Sequence, residues 1–209
     1  HHTAGVDPSQ SSSTSWTATG NWSLARFPIS YDVTVIITNG CTYYPLLDTT
    51  RDLPRFEMLS GSSFSLNGHD LTIIGDAVIG GTLAASGTET VTFLKSVDLT
   101  GGSFTRAQST VVIGGTAAQS VTSAGKSFHG LTVTNSSALV TFTDAVTADH
   151  YRSESASVAY GSNLTAGDFR VYSSGAVTQT FALGAAYNVT DLYLMGAAGG
   201  TQYLQSAGA

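Results

Sequence analysis

Leu71-Thr-Ile-Ile-Gly75 is a short alternating segment whose pattern recurs along the chain, once in every structural repeat of about 20 residues. Each step carries an apolar side chain, and the first four steps carry a second one two positions later. Alternation with a period of two, inside a longer repeat, indicates one short strand per repeat with one buried face. The apolar positions are Leu71 and Ile73, Val91 and Phe93, Val111 and Ile113, Leu131 and Val133, and then Tyr151 and Val171. Late in the chain the triplets Tyr151-Arg-Ser, Phe169-Arg-Val and Leu192-Tyr-Leu also resume this strand, at spacings of 18 and 23 residues.

Two further apolar series follow nearly the same spacing. One consists of Val78, Val97, Val121, Val140, Val158 and Val177, and the other of Leu83, Phe104, Phe128, Val146, Leu164 and Phe181. Three short strands per repeat predict a triangular coil, and stacked coils lie one strand spacing apart, about 4.8 Å. The repeat therefore predicts an all-β parallel β-solenoid with about seven to eight coils between Ser60 and Ala209. Corners are expected at Asn67-Gly68, Gly75, Gly101-Gly102 and Asn135.

A β-sandwich is the main alternative fold, because short strands separated by turns fit it as well. The regular self-similarity from repeat to repeat favours the solenoid, since a Greek key has no reason to show it. Near its end the chain carries Gln205-Ser-Ala-Gly-Ala209, with no evident cap. We therefore expect the coils to continue beyond this segment or to stack on a partner.

Composition and charge restrict the function. Hydrophobic residues make up 42% of the 209-residue chain, but charged residues only 11%, and the formal net charge is −6. With a low charged fraction and a net negative charge, the chain has too few cations to neutralise a run of phosphates, which argues against a nucleic-acid partner. The sequence contains no apolar run long enough for a membrane span. The single cysteine, Cys41, excludes an internal disulfide. Nothing in the sequence indicates a cofactor.

Composition divides the chain into three parts. Residues 1–15 are polar and predict an extended leader or linker. The first two residues, His1 and His2, are interpreted as a tag remnant or a mature end and are left out of the fold prediction. Residues 16–54 contain both tryptophans and predict a small β cap, and residues 55–209 are predicted to form the coils. We favour Trp16 and Trp22 as core of the cap, and the alternative is an aromatic platform that binds sugar.

The cap and the first coil resemble the opening module of large bacterial surface proteins. The order is Trp, Asn-Trp-Ser, Pro, Asp-Val, Tyr-Pro-Leu, Gly-x-x-Phe-x-Leu-Asn-Gly and Leu-Thr-Ile-x-Gly-Asp. In those proteins a cap leads into a right-handed parallel β-helix. The repeats that follow here are similar to those of filamentous haemagglutinins and autotransporter passengers. The resemblance implies a secreted or cell-surface protein. The matching positions are Trp16, Asn21, Trp22, Ser23, Pro28, Asp32, Val33, Tyr44, Pro45, Leu46, Gly61, Phe64, Leu66, Asn67, Gly68, Leu71, Gly75 and Asp76.

Candidate catalytic groups are few. Glycoside hydrolysis generally needs two nearby carboxyl groups. Asp149 and Asp168 are about one coil apart, with Glu154 nearby, and Arg152 and Arg170 flank them. A stacked polar face with balanced charges is the favoured interpretation. The alternative is the active site of a polysaccharide lyase or hydrolase.

The remaining chemistry-bearing residues give no metal site. The histidines outside the first two residues are His69, His129 and His150, and we interpret them as solvated turn residues. No cysteine pair or closely spaced histidine pair supports a zinc site.

The sequence thus predicts a non-enzymatic, extracellular structural or adhesive protein. Its solenoid stalk would mediate cell-surface attachment or self-assembly. Its partners would be copies of itself, neighbouring domains, or a glycan or protein receptor at a cell surface. The alternative is a carbohydrate-active or glycan-binding β-helix protein with acids at Asp149, Glu154 and Asp168, or with a sugar platform at Trp16 or Trp22.

Overall fold

A computed structural model describes residues 3–9 and 13–208. It confirms an all-β chain in which parallel strands stack into a β-solenoid of about 8 coils, about 20 residues apart. The start of the chain, His1-His2, lies outside the described residues. Within the described ranges the one helix is a 3-10 turn at Thr19–Asn21, and no helix there is long and apolar enough to cross a membrane.

Three parallel sheets form the sides of the solenoid. The ten-stranded sheet contains, in spatial order, β1 (Thr3–Gly5), β2 (Thr34–Ile37), β4 (Arg55–Met58), β7 (Ala77–Ile79), β10 (Val97–Asp98), β13 (Gln119–Thr122), β15 (Val140–Phe142), β17 (Val158–Tyr160), β19 (Ala176–Phe181) and β21 (Thr201–Ser206). The eight-stranded sheet contains β3 (Arg51–Leu53), β6 (Leu71–Ile73), β9 (Thr90–Phe93), β12 (Thr110–Ile113), β14 (Ser127–Val133), β16 (Val146–Glu154), β18 (Leu164–Ser173) and β20 (Tyr187–Gly196). The short third sheet contains β5 (Ser63–Ser65), β8 (Thr82–Ala84) and β11 (Ser103–Thr105).

The predicted ladder through Leu71 is confirmed over five coils. Its members pair directly and are buried: Leu71, Val91, Val111, Leu131 and Tyr151. The sixth predicted member is wrong, because Tyr151 pairs with Phe169 while Val171 pairs with Ser153 in the neighbouring row. The coil between Tyr151 and Phe169 is two residues shorter than the repeat. A shift of two keeps the side chain on the buried face, so a fixed step of 20 residues selects Val171. The register predicted from the triplets at Tyr151, Phe169 and Leu192 is confirmed.

The other two series lie in register only in part. Val78 points outward and is 37% exposed, and Ala77 holds the inward position that pairs with Val97. Val121 pairs with Phe142, two residues beyond the predicted Val140. In the third series Phe181 lies on β19 of the ten-stranded sheet, where it pairs with Tyr160 on β17. Loops of unequal length between the strands produce these slips.

The triangular coil is correct for the early coils but not for the later ones. After β11 the third sheet ends, and β14, β16, β18 and β20 run as long strands of 7 to 10 residues. Gly130 lies within β14, where a corner would otherwise turn the chain, and it pairs with Thr110. A Cβ at Gly130 would lie 2.7 Å from Thr110 Oγ1, so glycine permits this close pairing. The later coils therefore have two strands each.

The early corners depend on backbone geometry. Asn67 and Gly68 have φ values of 51° and 83°, as expected for a corner that requires positive φ. Gly102 does not have a positive φ, but a Cβ there would lie 2.3 Å from the carbonyl oxygen of Gly81 one coil away. Glycine is required at that position for close approach of the two backbones.

The cap and the coils share their sheets. Two strands of residues 16–54 pair with strands of the coils: β2 pairs with β4, and β3 pairs with β6. From the predicted leader, β1 adds one more strand beyond β2. Trp16 is completely buried and Trp22 almost so, and their rings lie 4.6 Å apart in an edge-to-face contact. The indoles close this end of the apolar core.

Buried side chains fill the interior from the cap to the coil that contains Val177. Its internal void, lined by residues such as Phe93, Phe104 and Phe128, has a volume of about 10 Å³. A void of that size is too small for a ligand. Cys41 has a free thiol that is half-buried against the core.

Candidate functional site

Charged side chains collect on the outer face of the eight-stranded sheet, which we call the long-strand sheet. They lie where the alternation of buried and exposed residues along each strand is interrupted. In β16 the buried residues are Val146, Ala148, Tyr151 and Ser153, so one interval is three residues instead of two. Asp149 and His150 occupy the longer interval, and neither points into the core. The same interruption in β18 contains Gly167 and Asp168, and in β14 it contains His129 and Gly130.

Asp149 lies at the centre of the first half of this cluster. Its Oδ2 accepts hydrogen bonds from Arg106 Nη1 and, at 3.1 Å, from His129 Nδ1. The same Arg106 nitrogen donates to the carbonyl oxygen of Phe128 at 2.9 Å. The carboxylate and the two side chains that bind it thus come from three coils.

Asp168 forms the second half. Its Oδ2 lies 2.7 Å from His150 Nδ1, and its Oδ1 accepts a hydrogen bond of 3.2 Å from Arg170 Nε. The two halves meet through the imidazoles, because the His129 and His150 ring centroids are 5.1 Å apart with nearly perpendicular planes. His129 and His150, two of the three histidines interpreted as solvated turn residues, therefore belong to a paired cluster, although the His150 side chain is 58% exposed.

The structure does not bring the third candidate acid to this cluster. Glu154 lies at the far end of β16, five residues from Asp149, and pairs with Arg152. Asp149 and Asp168 thus belong to one cluster, and Glu154 forms a separate ion pair.

The electrostatics of Asp149 suit an ionised group. Partial burial raises its pKa, but the hydrogen bonds from His129 and Arg106 outweigh this, so the pKa lies below its usual value. A general acid in glycoside hydrolysis needs a carboxyl group with a raised pKa. Asp149 therefore suits a base or an ion-pair partner rather than a proton donor.

The cluster does not form a metal centre. Across residues 3–9 and 13–208, the histidine, cysteine and carboxylate side chains form no group of three that could hold a metal ion. Each carboxylate here instead accepts hydrogen bonds from an arginine.

An outward row beside the cluster offers a contact surface. Thr132, Arg152, Arg170 and Tyr193 pair on successive coils of the long-strand sheet, one strand spacing apart. The Arg170 guanidinium lies 4.8 Å from the centroid of the Tyr193 ring, and 42% of Tyr193 remains exposed. We call Arg152, Arg170 and Tyr193 the cationic row.

The sequence interpretation did not include Arg106 or Tyr193 among the site residues. The separation between His129 and Asp149 was a usable signal, because it equals one coil. Arg106 reaches Asp149 across an intervening coil, and no spacing rule indicates that contact. Tyr193 was placed in the recurring strand but not among the site residues, and the structure pairs it with Arg170.

The tryptophans have no face available for sugar. Trp16 is 0% and Trp22 2% exposed, and the Trp22 indole N–H donates a 2.8 Å hydrogen bond to the Trp16 carbonyl oxygen. A sugar platform needs an exposed ring face, and neither ring provides one in this conformation.

The chain matches no known protein family, no curated protein and no solved structure in sequence or structure comparison. The parallel solenoid agrees with the architecture implied by the resemblance to bacterial surface proteins. Membership of that group has no support from the comparisons.

Proposed function

We propose that the chain is a non-enzymatic structural and adhesive module of an extracellular surface protein. Its solenoid serves as a stiff spacer, and its outer sheet face serves as a contact surface for a glycan or protein at a cell surface. The observation that carries this proposal is the tightly packed interior, since buried residues line up from Trp16 to Val177 and the void between Phe93, Phe104 and Phe128 measures only about 10 Å³. Such a core supports length and stiffness.

The state of the polar cluster also supports a contact role. Arg106 and Arg170 hydrogen-bond to Asp149 and Asp168, respectively, so neither carboxylate is left without a cationic partner. The pKa of Asp149 is lowered, whereas a proton donor would need the opposite shift. A face that exposes arginine and tyrosine is better suited to holding a partner, because both residue types contribute strongly at interfaces.

The second candidate function is glycan binding without cleavage, and the cationic row is the observation that favours it. Arg152 and Arg170 lie on neighbouring coils, and Tyr193 extends the row by one more. Arginine binds carboxylate and sulfate groups through paired N–H donors, and an exposed aromatic ring can stack on a sugar. The ligand class that fits is an acidic polysaccharide laid across the strands.

Attachment can be tested with beads that carry the purified chain. We expect the beads to adhere to a cell layer, and we expect the double substitution Arg152→Ala and Arg170→Ala to reduce adhesion at least tenfold. Lys95→Ala is the matched control, because it removes an exposed cation outside the row. Adhesion that is no greater than that of uncoated beads contradicts the adhesive role.

Catalysis is tested by incubating the chain with polygalacturonate as an acidic polymer and with dextran as a neutral one. We expect no new reducing ends and no unsaturated products. Cleavage that disappears in Asp149→Asn or Asp168→Asn would show that the cluster is an active site and would overturn the non-enzymatic proposal.

A further inference from the structure

A groove lies beside the cationic row on the outer face of the long-strand sheet. Its volume is about 350 Å³, which is within the range of small-ligand pockets. Gly130 keeps part of the groove open, because it pairs between Thr110 and His150 and carries no side chain. Side chains that can form hydrogen bonds line the groove, among them Gln108, His129, His150, Arg152, Asp168 and Arg170.

The two histidines of the groove are held in one tautomer by their carboxylates. His129 Nδ1 lies 3.1 Å from Asp149 Oδ2, and His150 Nδ1 lies 2.7 Å from Asp168 Oδ2. An ionised carboxylate only accepts hydrogen bonds, so the proton of each neutral ring is on Nδ1 and the Nε2 atom carries a lone pair. Neither Nε2 atom has a hydrogen-bond partner among the described residues, and both rings line the groove.

Protonation therefore changes what the groove offers to a ligand. Histidine is the side chain that ordinarily changes its charge between about pH 5 and 8. When the rings of His129 and His150 are neutral, each Nε2 lone pair repels an anion. When the rings are protonated, each Nε2 becomes an N–H donor with a positive charge, while Nδ1 keeps its carboxylate partner. Neither ring has to move for this change.

The other charges near the groove nearly cancel, so the histidines decide its sign. Arg106 pairs with Asp149, Arg170 with Asp168 and Arg152 with Glu154. Asp191 lies next to Asp168 on the following coil. Three arginines and four carboxylates give a formal charge of −1 with neutral histidines and +1 when both histidines are protonated. The titratable and charged groups counted or considered are Arg106 before β12, Asp149, Tyr151, Arg152 and Glu154 on β16, Asp168 and Arg170 on β18, and Asp191 and Tyr193 on β20.

We propose that the groove binds the acid groups of an acidic polysaccharide tightly when His129 and His150 are protonated and weakly when they are neutral. This inference rests on the proposed glycan-binding function and adds control of that function by pH. Arg152 and Arg170 supply paired donors at every pH, and the two protonated rings add two charge-assisted hydrogen bonds.

The spacing of the donors fits acid groups on neighbouring sugars. Arg152 and Arg170 pair on adjacent coils, about 4.8 Å apart along the solenoid. The ring centroids of His129 and His150 are 5.1 Å apart, also on adjacent coils. A chain of sugars that runs across the strands can therefore bring successive sulfate or carboxylate groups to one donor of each row.

Binding to immobilised dextran sulfate at about pH 5.5 and about pH 8 tests the inference, because these values bracket the usual charge change of histidine. The sulfate esters stay ionised at both values, so only the protein changes its charge. Neutral dextran is the control polymer. At constant ionic strength, we expect the purified chain to bind dextran sulfate about tenfold or more tightly at the lower pH, and not to bind dextran.

The histidines are tested by the double substitution His129→Gln and His150→Gln. Glutamine keeps a hydrogen-bonding side chain but cannot change its charge. The double variant should bind dextran sulfate almost equally at the two pH values, and each single variant should lose part of the difference. The single variants keep the test valid if the double variant does not fold. His69→Gln is the matched control, because His69 is not among the residues that line the groove, and it should keep the full difference.

The possible failures can be told apart. Equal binding of the parent chain at both pH values overturns the control by pH and leaves glycan binding standing. A pH difference that persists undiminished in the double variant also overturns the inference, because other groups would then cause it. If the parent chain does not bind dextran sulfate at either pH, the glycan-binding function fails, and this inference fails with it.

Discussion

Glu89 and Gly68 lie on neighbouring coils, and Glu89 Oε1 accepts a hydrogen bond of 3.0 Å from the backbone N–H of Gly68. The same carboxylate accepts bonds from the Ser86 N–H at 2.8 Å, the Ser86 hydroxyl at 2.7 Å and the Gly87 N–H at 2.7 Å. Glu89 is 3% exposed, so it connects two corners of the stack from inside.

The Glu89 carboxylate makes the stability of the solenoid depend on pH. Burial raises its pKa, but the hydrogen bonds from Ser86 and Gly87 outweigh this and bring the pKa to about 2. Because the unfolded value is 4.5, the contribution is complete above pH 4.5 and is lost as the pH falls towards 2. The loss amounts to at most about 3 kcal/mol.

Glu89→Gln should therefore lower the free energy of unfolding at pH 7 and flatten its decline between pH 4.5 and 2. The amide places an N–H₂ group against backbone donors, so at least one bond is replaced by a repulsive contact. Urea unfolding at several pH values measures both effects. Glu57→Gln on β4 is the control, and an unchanged pH profile in Glu89→Gln contradicts the assignment.

Burial of Ile73 can be tested against the residue beside it. Ile73 is fully buried between Leu53 and Phe93 of the adjacent coils, while Ile74 is 41% exposed. Ile73→Asp should destabilise the fold by about 4 kcal/mol or more, because it buries an unpaired charge. Ile74→Asp makes the same chemical change at an exposed site and should cost less than about 1 kcal/mol. Equal melting temperatures for the two variants would refute the proposed register.

How far sequence predicts this fold depends on how local each signal is. The Leu71 ladder was predictable because its coils have equal length and alternate cleanly. The fixed step of 20 residues selected Val171 wrongly because that coil is two residues shorter, whereas the similar triplets at Tyr151 and Phe169 gave the observed pairing. Val78 was assigned wrongly because an alanine, Ala77, takes the inward position and gives a weak signal. The merging of strands at Gly130 depends on contact with Thr110 one coil away, which no local pattern contains.

The candidate site was predictable to a smaller extent. Asp149 and Asp168 were selected from their spacing, and the structure places both in one cluster with His129 and His150. Arg106 was not predicted as a site residue because its side chain crosses a coil to reach Asp149. Outward side chains have no buried ladder to fix their direction, so sequence spacing brings them near each other without determining which of them pair.

The ion pairs of the polar cluster should contribute little to stability. The Asp149 side chain is 45% exposed and that of Arg106 is 35% exposed, so solvent screens their attraction. Asp149→Asn should lower the free energy of unfolding by less than about 1 kcal/mol, with a smaller effect in high salt. Thermal unfolding at low and high salt measures this, with Asp191→Asn as a control. A loss of several kcal/mol would assign the cluster a structural role and not a contact role.

A buried polar chain in the later coils gives a prediction on stability. The Tyr160 hydroxyl lies 2.6 Å from the Tyr151 hydroxyl and 2.9 Å from Gln179 Oε1, and all three side chains are buried. Tyr160→Phe removes the central hydroxyl and leaves two buried polar groups without this partner, which should cost about 1–3 kcal/mol. Tyr203→Phe is the control, because Tyr203 is 53% exposed and should tolerate the change.

The same pair sets the behaviour at high pH. Burial raises the pKa of both the Tyr151 and the Tyr160 phenol well above the usual value of 10.0. The unfolded chain ionises both groups near pH 10 while the folded chain keeps them protonated, so stability falls as the pH rises above 10. Ultraviolet titration should show two of the nine tyrosines ionising only on unfolding. Ionisation of all nine in the folded chain would contradict the buried pair.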